Sequence, residues 1–520
     1  MLEYIVKKIN GVFEKHDVSE GKNEMPDIIL HKSLKKNLDF FRNAMGDSDD
    51  IIIREFSAGK TSAAVIFTDG LINAALAESS IIKPLMLADV LDEGKVSAEI
   101  AEERLLSSCE IKKVFSASQA FGAFLCGDTL LMLDGENAAL QIGTKGYVKR
   151  GTDTPQTDSV IRGPREAFIE NLRTNTALLR RRIKSPSLTV ETLSAGRQTK
   201  TKIAVVYLKN VANPKLIEEI KKRISKTDTD AILDSGYIQQ FITDSPTSLF
   251  DTISGTEKPD IAAGKILEGR AAVIVDGSPF VLTAPMYFAE SFQSPEDYYI
   301  SPYAATWLRI VRYISFYISI LALPVYVAIT SFHHDLIPLS LLYTMAAAEA
   351  GTPFPAAAEA FIMTVVFEIL KEAGVRLPKP VGQAVSIVGA LVIGETAVSA
   401  GLIGAPIIIA VAITAVTAFV VPQMTNTIVI LRFVLLLLAS FTGGFGISIG
   451  LLATVIHLTA LRSFGTPFFA PFAPMRPSDM KDAVVRAPLW ALLTRPENLS
   501  RKNPIRQQYR NPFAEKEKSK

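Results

Sequence analysis

The sequence predicts a chain of two kinds: a soluble N-terminal half built as two small α/β subdomains, followed by an α-helical polytopic membrane domain. Three observations predict it. Charged residues are dense from Met1 to about Tyr299 and sparse afterwards, and between Pro380 and Leu431 the only charged side chain is Glu395. Several later stretches approach the ~20 apolar residues needed to cross ~30 Å of hydrocarbon. In the first half, short runs rich in β-branched residues alternate with amphipathic stretches, as in a sheet with helices packed on it. The formal net charge of +2 over 520 residues hides this division and gives no general case for nucleic-acid binding.

Residues 1–26 read as a flexible lead-in. The opening MLEYIVKKINGVFEKHD lacks the long apolar core and small-residue cleavage site of a signal peptide, so the first half is expected in the cytoplasm. The first α/β subdomain spans 27–146. It opens with a helix from Ser33 to Gly46, with Leu34, Leu38, Phe41 and Met45 on one face, and continues with the strands IIIREF and AAVIFTDG. A helical stretch around Ile81 to Leu106 follows, then AFGAFLCGD and TLLMLDGENAALQIG, which read as short strands with Gly, Asp and Asn turns.

Residues 147–200 form a basic helical connector. Its Arg173, Arg180, Arg181, Arg182 and Lys184 suit either a solvated face paired with acidic neighbours or a contact with anionic lipid headgroups. The second α/β subdomain spans 201–300. KIAVVYL reads as a buried strand, and NPKLIEEIKKRISK as an amphipathic helix with Asn213 as N-cap and Pro214 at its first position. AAVIVDGSPFVLTAP supplies two strands joined by a DGSP turn.

Enzymatic motifs fail in this half, and no enzyme activity, cofactor or metal is expected. The AGKT at Ala58 to Thr61 resembles a phosphate loop, but the glycine such a loop needs five residues before Gly59 is Arg54. The two cysteines, Cys109 and Cys126, are too few for a disulfide framework and read as buried free thiols in a reducing compartment. His333 and His334 are adjacent and poorly placed to chelate together from a helix; they read as interface residues.

The membrane domain spans 301–465. Its first crossing, Trp307 to Ile329, starts with Trp307, Arg309 and Arg312, aromatic and basic anchors expected at a cytoplasmic interface. Leu336–Ala350 and Phe354–Leu370, separated by GTPFP, fit a broken pair giving one net crossing. The loop KEAGVRLPKP at 371–380 is basic and expected inside. Ala384–Ile403, Ala405–Pro422, Ile428–Ser440 and Ile447–Leu461 complete six net crossings, with Gly443 and Gly444 at a turn and Arg432 snorkelling from near a helix end. A basic cytoplasmic tail, 466–520, follows; from Arg476 onward it holds eleven Lys and Arg against five Asp and Glu.

A charge at membrane depth costs on the order of 2.5 to 3.5 kcal/mol on insertion scales. Glu349, Glu359, Glu368 and Glu395 therefore need partners or water, and Glu359 and Glu368 fit an interfacial helix with solvated carboxylates. On helix 384–403, Val388, Val392, Glu395 and Ser399 fall on one stripe, and small residues (Gly389, Ala390, Ala397) occupy the opposite flank. Two readings fit the stripe. It lines a water-filled pore, with valines as a dewetting constriction and Glu395 favouring cations, or Glu395 is a buried carboxylate bonded to a neighbouring helix. A pore needs a ring of copies.

Several long strings occur in the order found in the A subunits of the GerA family of spore germinant receptors. Among them are GPREAF (163–168), SFQSPEDYY (291–299), FEILKEAGVRLPKPVGQAVSIVGALVIG (367–394) and RAPLW (486–490). From about residue 30 to 500 the chain resembles that family. The resemblance implies a cytoplasmic pair of α/β subdomains and a place in the spore inner membrane. It also implies a complex with a transporter-like B subunit, which binds the nutrient, and a lipoprotein C subunit. The family's A subunits resemble pentameric nutrient-gated ion channels lined by the helix after FEILKEAGVRLP. A homo-oligomeric cation channel in lipid is thus the leading expectation, and a non-conducting scaffold or signal-transducing subunit is the alternative.

Overall fold

In the strand AAVI at 63–66 every side chain is buried, because successive residues point to opposite faces and both faces are covered. Ala63 and Val65 join one apolar cluster, while Ala64 and Ile66 join another. In the computed structural model, which describes residues 28–46, 48–89, 95–107, 110–146, 155, 160, 162–378, 392, 394–499 and 503–507, this strand lies within an antiparallel sheet of five. The strands are β1 (Ile51–Ala58), β2 (Thr61–Thr68), β3 (Ile111–Val114), β4 (Thr129–Leu133) and β5 (Ala139–Ile142), in the order β1-β2-β4-β5-β3. The AGKT segment is the tight turn of the first hairpin, with Ala58 paired to Thr61 and Gly59 at φ 57°.

Helix α1 (Leu34–Met45) covers one face of this sheet with Leu34, Leu38, Phe41 and Met45, as its spacing predicts. Beside it lies α2 (Ala117–Phe124), where the expectation was a strand. Local chemistry explains the correction. The Ser116 hydroxyl accepts from the Gln119 N–H as an N-cap, and Ala117, Ala120, Phe121 and Phe124 then share a buried helical face. Phe121 and Phe124 meet the Phe41 ring edge-on, at centroid distances of 5.0 and 6.0 Å. The opposite face carries short helical turns rather than one long helix between residues 74 and 105.

The second sheet comprises β6 (Leu188–Ala195), β7 (Thr201–Leu208), β8 (Ser254–Thr256), β9 (Ala271–Val275) and β10 (Val281–Ala284), in the order β6-β7-β9-β10-β8. Shifted by five, this is the strand order of the first sheet, a repeat not visible in the residues. β6 falls within the stretch read as connector. Helix α3 (Leu172–Arg182) precedes it; Arg181 and Arg182 pair with Glu166, and Arg180 is buried. Helices α4 (Pro214–Ser225) and α5 (Ser235–Ile242) pack on one face through Ile217, Ile220, Ile224, Ile238 and Ile242. Asn213 caps α4, and α6 (Pro259–Leu267) contacts the sheet as well.

From residue 302 to 460 the described chain is mostly helical: α7 (Pro302–Phe332), α8 (Leu339–Glu349), α9 (Ala356–Arg376), α10 (Gly394–Ser399), α11 (Ala405–Ala418), α12 (Thr425–Thr442) and α13 (Gly444–Ala460); a small hairpin at 462–467 and a tail mostly of turns follow. Two segments, 302–332 and 422–442, are long and apolar enough to cross a bilayer, and α11 and α13 are shorter apolar helices. α9 runs through KEAGVR, so the break expected at 371 comes after Arg376. α7 packs along α11 and α12, and the Gly443–Gly444 turn lies against Phe332 and His333 at the end of α7. The chain divides into two compact units, Met1–Arg150 with Ile183–Thr189, and Gly151–Arg182 with Val190–Lys520. Replacing Phe41, which is fully buried, by Ala should cost about 3–5 kcal/mol, read as a lowered midpoint for the N-terminal transition in denaturant unfolding.

Candidate functional site

The sequence-predicted stripe has one member, Val388, outside the described residues, together with the rest of 384–391 and residue 393 of the expected helix 384–403. The remaining three are exposed: Val392, Glu395 and Ser399, spaced so that they share one side of a helix. Glu395 makes no hydrogen bond or ion pair among the described residues, and the Ser399 hydroxyl donates to the Thr396 carbonyl. The other side of α10 packs inward. Gly394 is buried, with its missing Cβ facing Ile408 of α11, and Ala397 joins the cluster around Leu323, Ile403 and Ile407.

A second constellation lies where the second α/β subdomain meets α7. The segment SPEDYY forms a single helical turn that presents Asp297, which is fully buried. Arg309 and Arg312 are three residues apart and share a helical face, so both reach it. Arg309 Nε donates to Asp297 Oδ2 at 2.8 Å, and Arg312 Nη1 donates to both Asp297 oxygens at 2.9 Å. Arg309 Nη1 also donates to Asp482 Oδ1 at 2.8 Å and to the Asp482 carbonyl at 2.7 Å. The Tyr298 hydroxyl donates to Asp482 Oδ2 at 2.8 Å, and the guanidinium groups of Arg309 and Arg486 both lie over the Tyr298 ring.

The two arginines expected as interface anchors are therefore spoken for by carboxylates. Arg309 is fully buried, which removes it from any headgroup, whereas Trp307 is exposed. The physical reason is pairing: each buried guanidinium reaches a carboxylate, and either ion would be costly alone. The i, i+3 arginine spacing was the available signal. Asp297 and Asp482, 185 residues apart (482 − 297), could be joined only by the fold.

Beside this junction lies a cavity of about 630 Å³, lined in part by Lys265, Glu268, Arg270, Glu290, Tyr298 and Arg312. Its charges satisfy one another. Arg270 donates to Glu290 at 2.6 Å and to Glu268 at 2.9 Å, and Lys265 lies 3.2 Å from Glu290. Burial lowers the affinity of Lys265 for its proton and raises that of Glu268 and of the Tyr298 hydroxyl. Such a wall suits a small polar guest or water and offers no strong field of one sign.

Three acids read from sequence as membrane-depth problems are also placed, and two correct the expectation of solvated carboxylates. Glu359 is fully buried and accepts from the Gly404 N–H at 2.8 Å. Glu368 holds Arg432 at 2.6 Å and Lys371 at 2.5 Å. Arg432, expected to snorkel, is instead 1% exposed between α12 and α9, with Glu368 as its partner. Glu349 is half-buried at the end of α8. Of the two cysteines, Cys109 lies outside the described residues, and Cys126 is free and half-buried.

The geometry defines a protein whose second α/β subdomain is joined through a buried charge junction to a set of apolar helices. Residues 39–498 match the family described as Bacillus/Clostridium GerA spore germination protein, and the chain belongs to that family. It is 42% identical over 486 residues to spore germination protein KA of Bacillus subtilis (strain 168), covering 92% of this chain and 89% of that one. It is 39% identical over 479 residues to the uncharacterized membrane protein YfkQ of the same organism, covering 91% and 93%. Among solved structures, the N-terminal domain of the A subunit of the Bacillus megaterium spore germinant receptor GerK3 is 33% identical, with a TM-score of 0.41; the match covers 51% of this chain and 99% of that chain.

Replacing Asp297 by Ala strands two guanidinium groups and should cost about 3–5 kcal/mol. Breaking the exposed Arg42–Glu55 pair should cost only about 0–1 kcal/mol. Thermal unfolding of the purified variants in detergent compares the two.

Proposed function

We propose that this chain is the A subunit of a spore germinant receptor and that copies of it form an oligomeric, nutrient-gated cation channel whose opening starts germination. The observation that carries the reading is the exposed row Val392, Glu395 and Ser399 on a helix whose other face packs inward. An unpaired carboxylate on an apolar helix needs water, and a ring of copies around a pore supplies it. Family membership and the names of the relatives support the role in germination.

In this reading the chain is polytopic and lies in the spore inner membrane with both termini cytoplasmic. The crossings are α7, the α8–α9 pair as one, residues 384–403, α11, α12 and α13. α9 has 21 residues, but its apolar part ends at Leu370, leaving roughly 22 Å of helix at the usual rise, short of the ~30 Å of hydrocarbon, so α8 and α9 make one crossing together. A transporter-like B subunit binds the nutrient, a lipoprotein C subunit completes the receptor, and the channel is a pentamer in lipid. The domain plan follows the one expected from the sequence, with β6 moved from the connector into the second α/β subdomain and the α/β half on the cytoplasmic side.

Spores in which the chromosomal copy carries Glu395→Gln or Val392→Ala should release monovalent cations at rates changed several-fold, or leak them without nutrient, while immunoblots show normal protein. Unchanged release and unchanged dormancy with normal assembly would leave the scaffold reading instead. The mass of the purified detergent complex should correspond to a closed ring of copies; a monomer excludes the pore.

A further inference from the structure

The cavity beside the arginine junction takes its walls from α6, the segment before α7, the start of α7, the link between α11 and α12, and the tail. On α6, Ile261, Gly264, Lys265 and Glu268 follow i, i+3, i+4 and i+7, so one face of that helix looks into it. Gly264 leaves room there. A Cβ on it would meet nothing within 4 Å, and neither a left-handed backbone nor a close neighbour calls for glycine at this position. Glycine inside a helix is otherwise unfavourable relative to alanine.

The wall carries both signs of charge at fixed places. Deep in it, Arg270 and Glu290 are both buried, yet Arg270 Nε and Glu290 Oε2 have no hydrogen-bond partner among the described residues. An unmet donor and an unmet acceptor on two paired, buried side chains are uncommon. The exposed Arg506 stands 3.8 Å from Glu268, too far for a hydrogen bond. Every hydrogen bond of Arg312 among the described residues leaves from Nη1. The outer lining is apolar, with Val420, Pro422 and Leu489 all exposed.

A guest that matches this wall has an ammonium for the carboxylates, an oxyanion for the guanidinium groups and an apolar part that stays outside. The depth of the cavity fits such a guest. α7 has 31 residues, about 46 Å at the usual rise, against ~30 Å of hydrocarbon. In the membrane reading its first turns therefore stand among the cytoplasmic headgroups, and the cavity stands beside them.

We propose that this cavity binds a zwitterion in which an ammonium and a phosphate are joined by a short chain: the headgroup of a phospholipid of the phosphatidylethanolamine type, or the same group free in solution. The lipid source rests on the membrane reading of this chain. The exposed row on α10 plays no part, so headgroup binding and ion release fail separately.

The test measures the Tm of the full-length protein in detergent with phosphatidylethanolamine, phosphatidylglycerol, diacylglycerol or soluble glycerophosphoethanolamine added. A ligand held by the folded state raises the Tm. Phosphatidylethanolamine should raise it by several degrees more than phosphatidylglycerol, which lacks the ammonium, or diacylglycerol, which lacks the headgroup. A rise with glycerophosphoethanolamine assigns the site to a free zwitterion as well, and a rise with the lipid alone assigns it to the membrane. Gly264→Phe fills the cavity and should abolish the difference, whereas Gly264→Ala should keep it. Should the Phe variant not fold, Arg506→Gln decides, since that side chain makes no hydrogen bond among the described residues; it should reduce the rise. Equal Tm values with all four additives overturn the proposal. So does a rise with phosphatidylglycerol as large as that with phosphatidylethanolamine, or a rise that survives in Gly264→Phe or is unchanged in Arg506→Gln.

Discussion

The interaction on which the helical part most depends is the buried quartet of Asp297, Arg309, Arg312 and Asp482. It lies at the point where the charged and apolar halves of the chain meet. Charges moved out of water lose several kcal/mol each unless they are paired, so this junction is stable only when three separate pieces of chain are all in place. These are the turn after the second sheet, the first long apolar helix and the tail. An aromatic cluster reinforces the same spot: Phe288, Phe292, Phe316 and Phe468 meet edge to face, and the Tyr313 ring stacks on Phe292 at 4.0 Å. The tail read as a basic appendage is thus, up to residue 499, partly a structural element of the junction.

The same rule operates among the helices. Arg432 is accepted in the interior because Glu368 reaches it from a neighbouring helix, and the pair costs far less than either ion alone. Glu359 is accepted because a helix start turns a backbone N–H toward it. Glu395 differs in having no such partner among the described residues, and this contrast separates it from the structural acids.

Much of the soluble half was legible residue by residue. The faces of α1 and α4, the caps at Asn213 and Pro214 and the strands KIAVVYL and AAVIV follow from spacing and propensity. The misreadings have definite causes. AFGAFLCGD is apolar throughout, so neither a period of two nor of 3.6 stands out, and the Ser116 cap that decides for helix lies just outside it. LTVETLSA was absorbed into a connector because β6 is an edge strand, half polar by burial. The shared strand order of the two sheets left no trace in the residues, because topology is preserved by packing patterns that many sequences satisfy.

What the sequence determined by itself is therefore local and additive: which segments are charged or apolar, which turn or cap, and which acids are too expensive to leave alone. That information survives in one dimension because propensity, hydropathy and periodicity act over a few residues. What only the tertiary structure decided is partnership. Arg309 with Asp482, Glu368 with Arg432 and Glu359 with Gly404 join positions 173, 64 and 45 residues apart. A charge shows in sequence only that it needs a partner; which partner arrives depends on how the intervening helices pack.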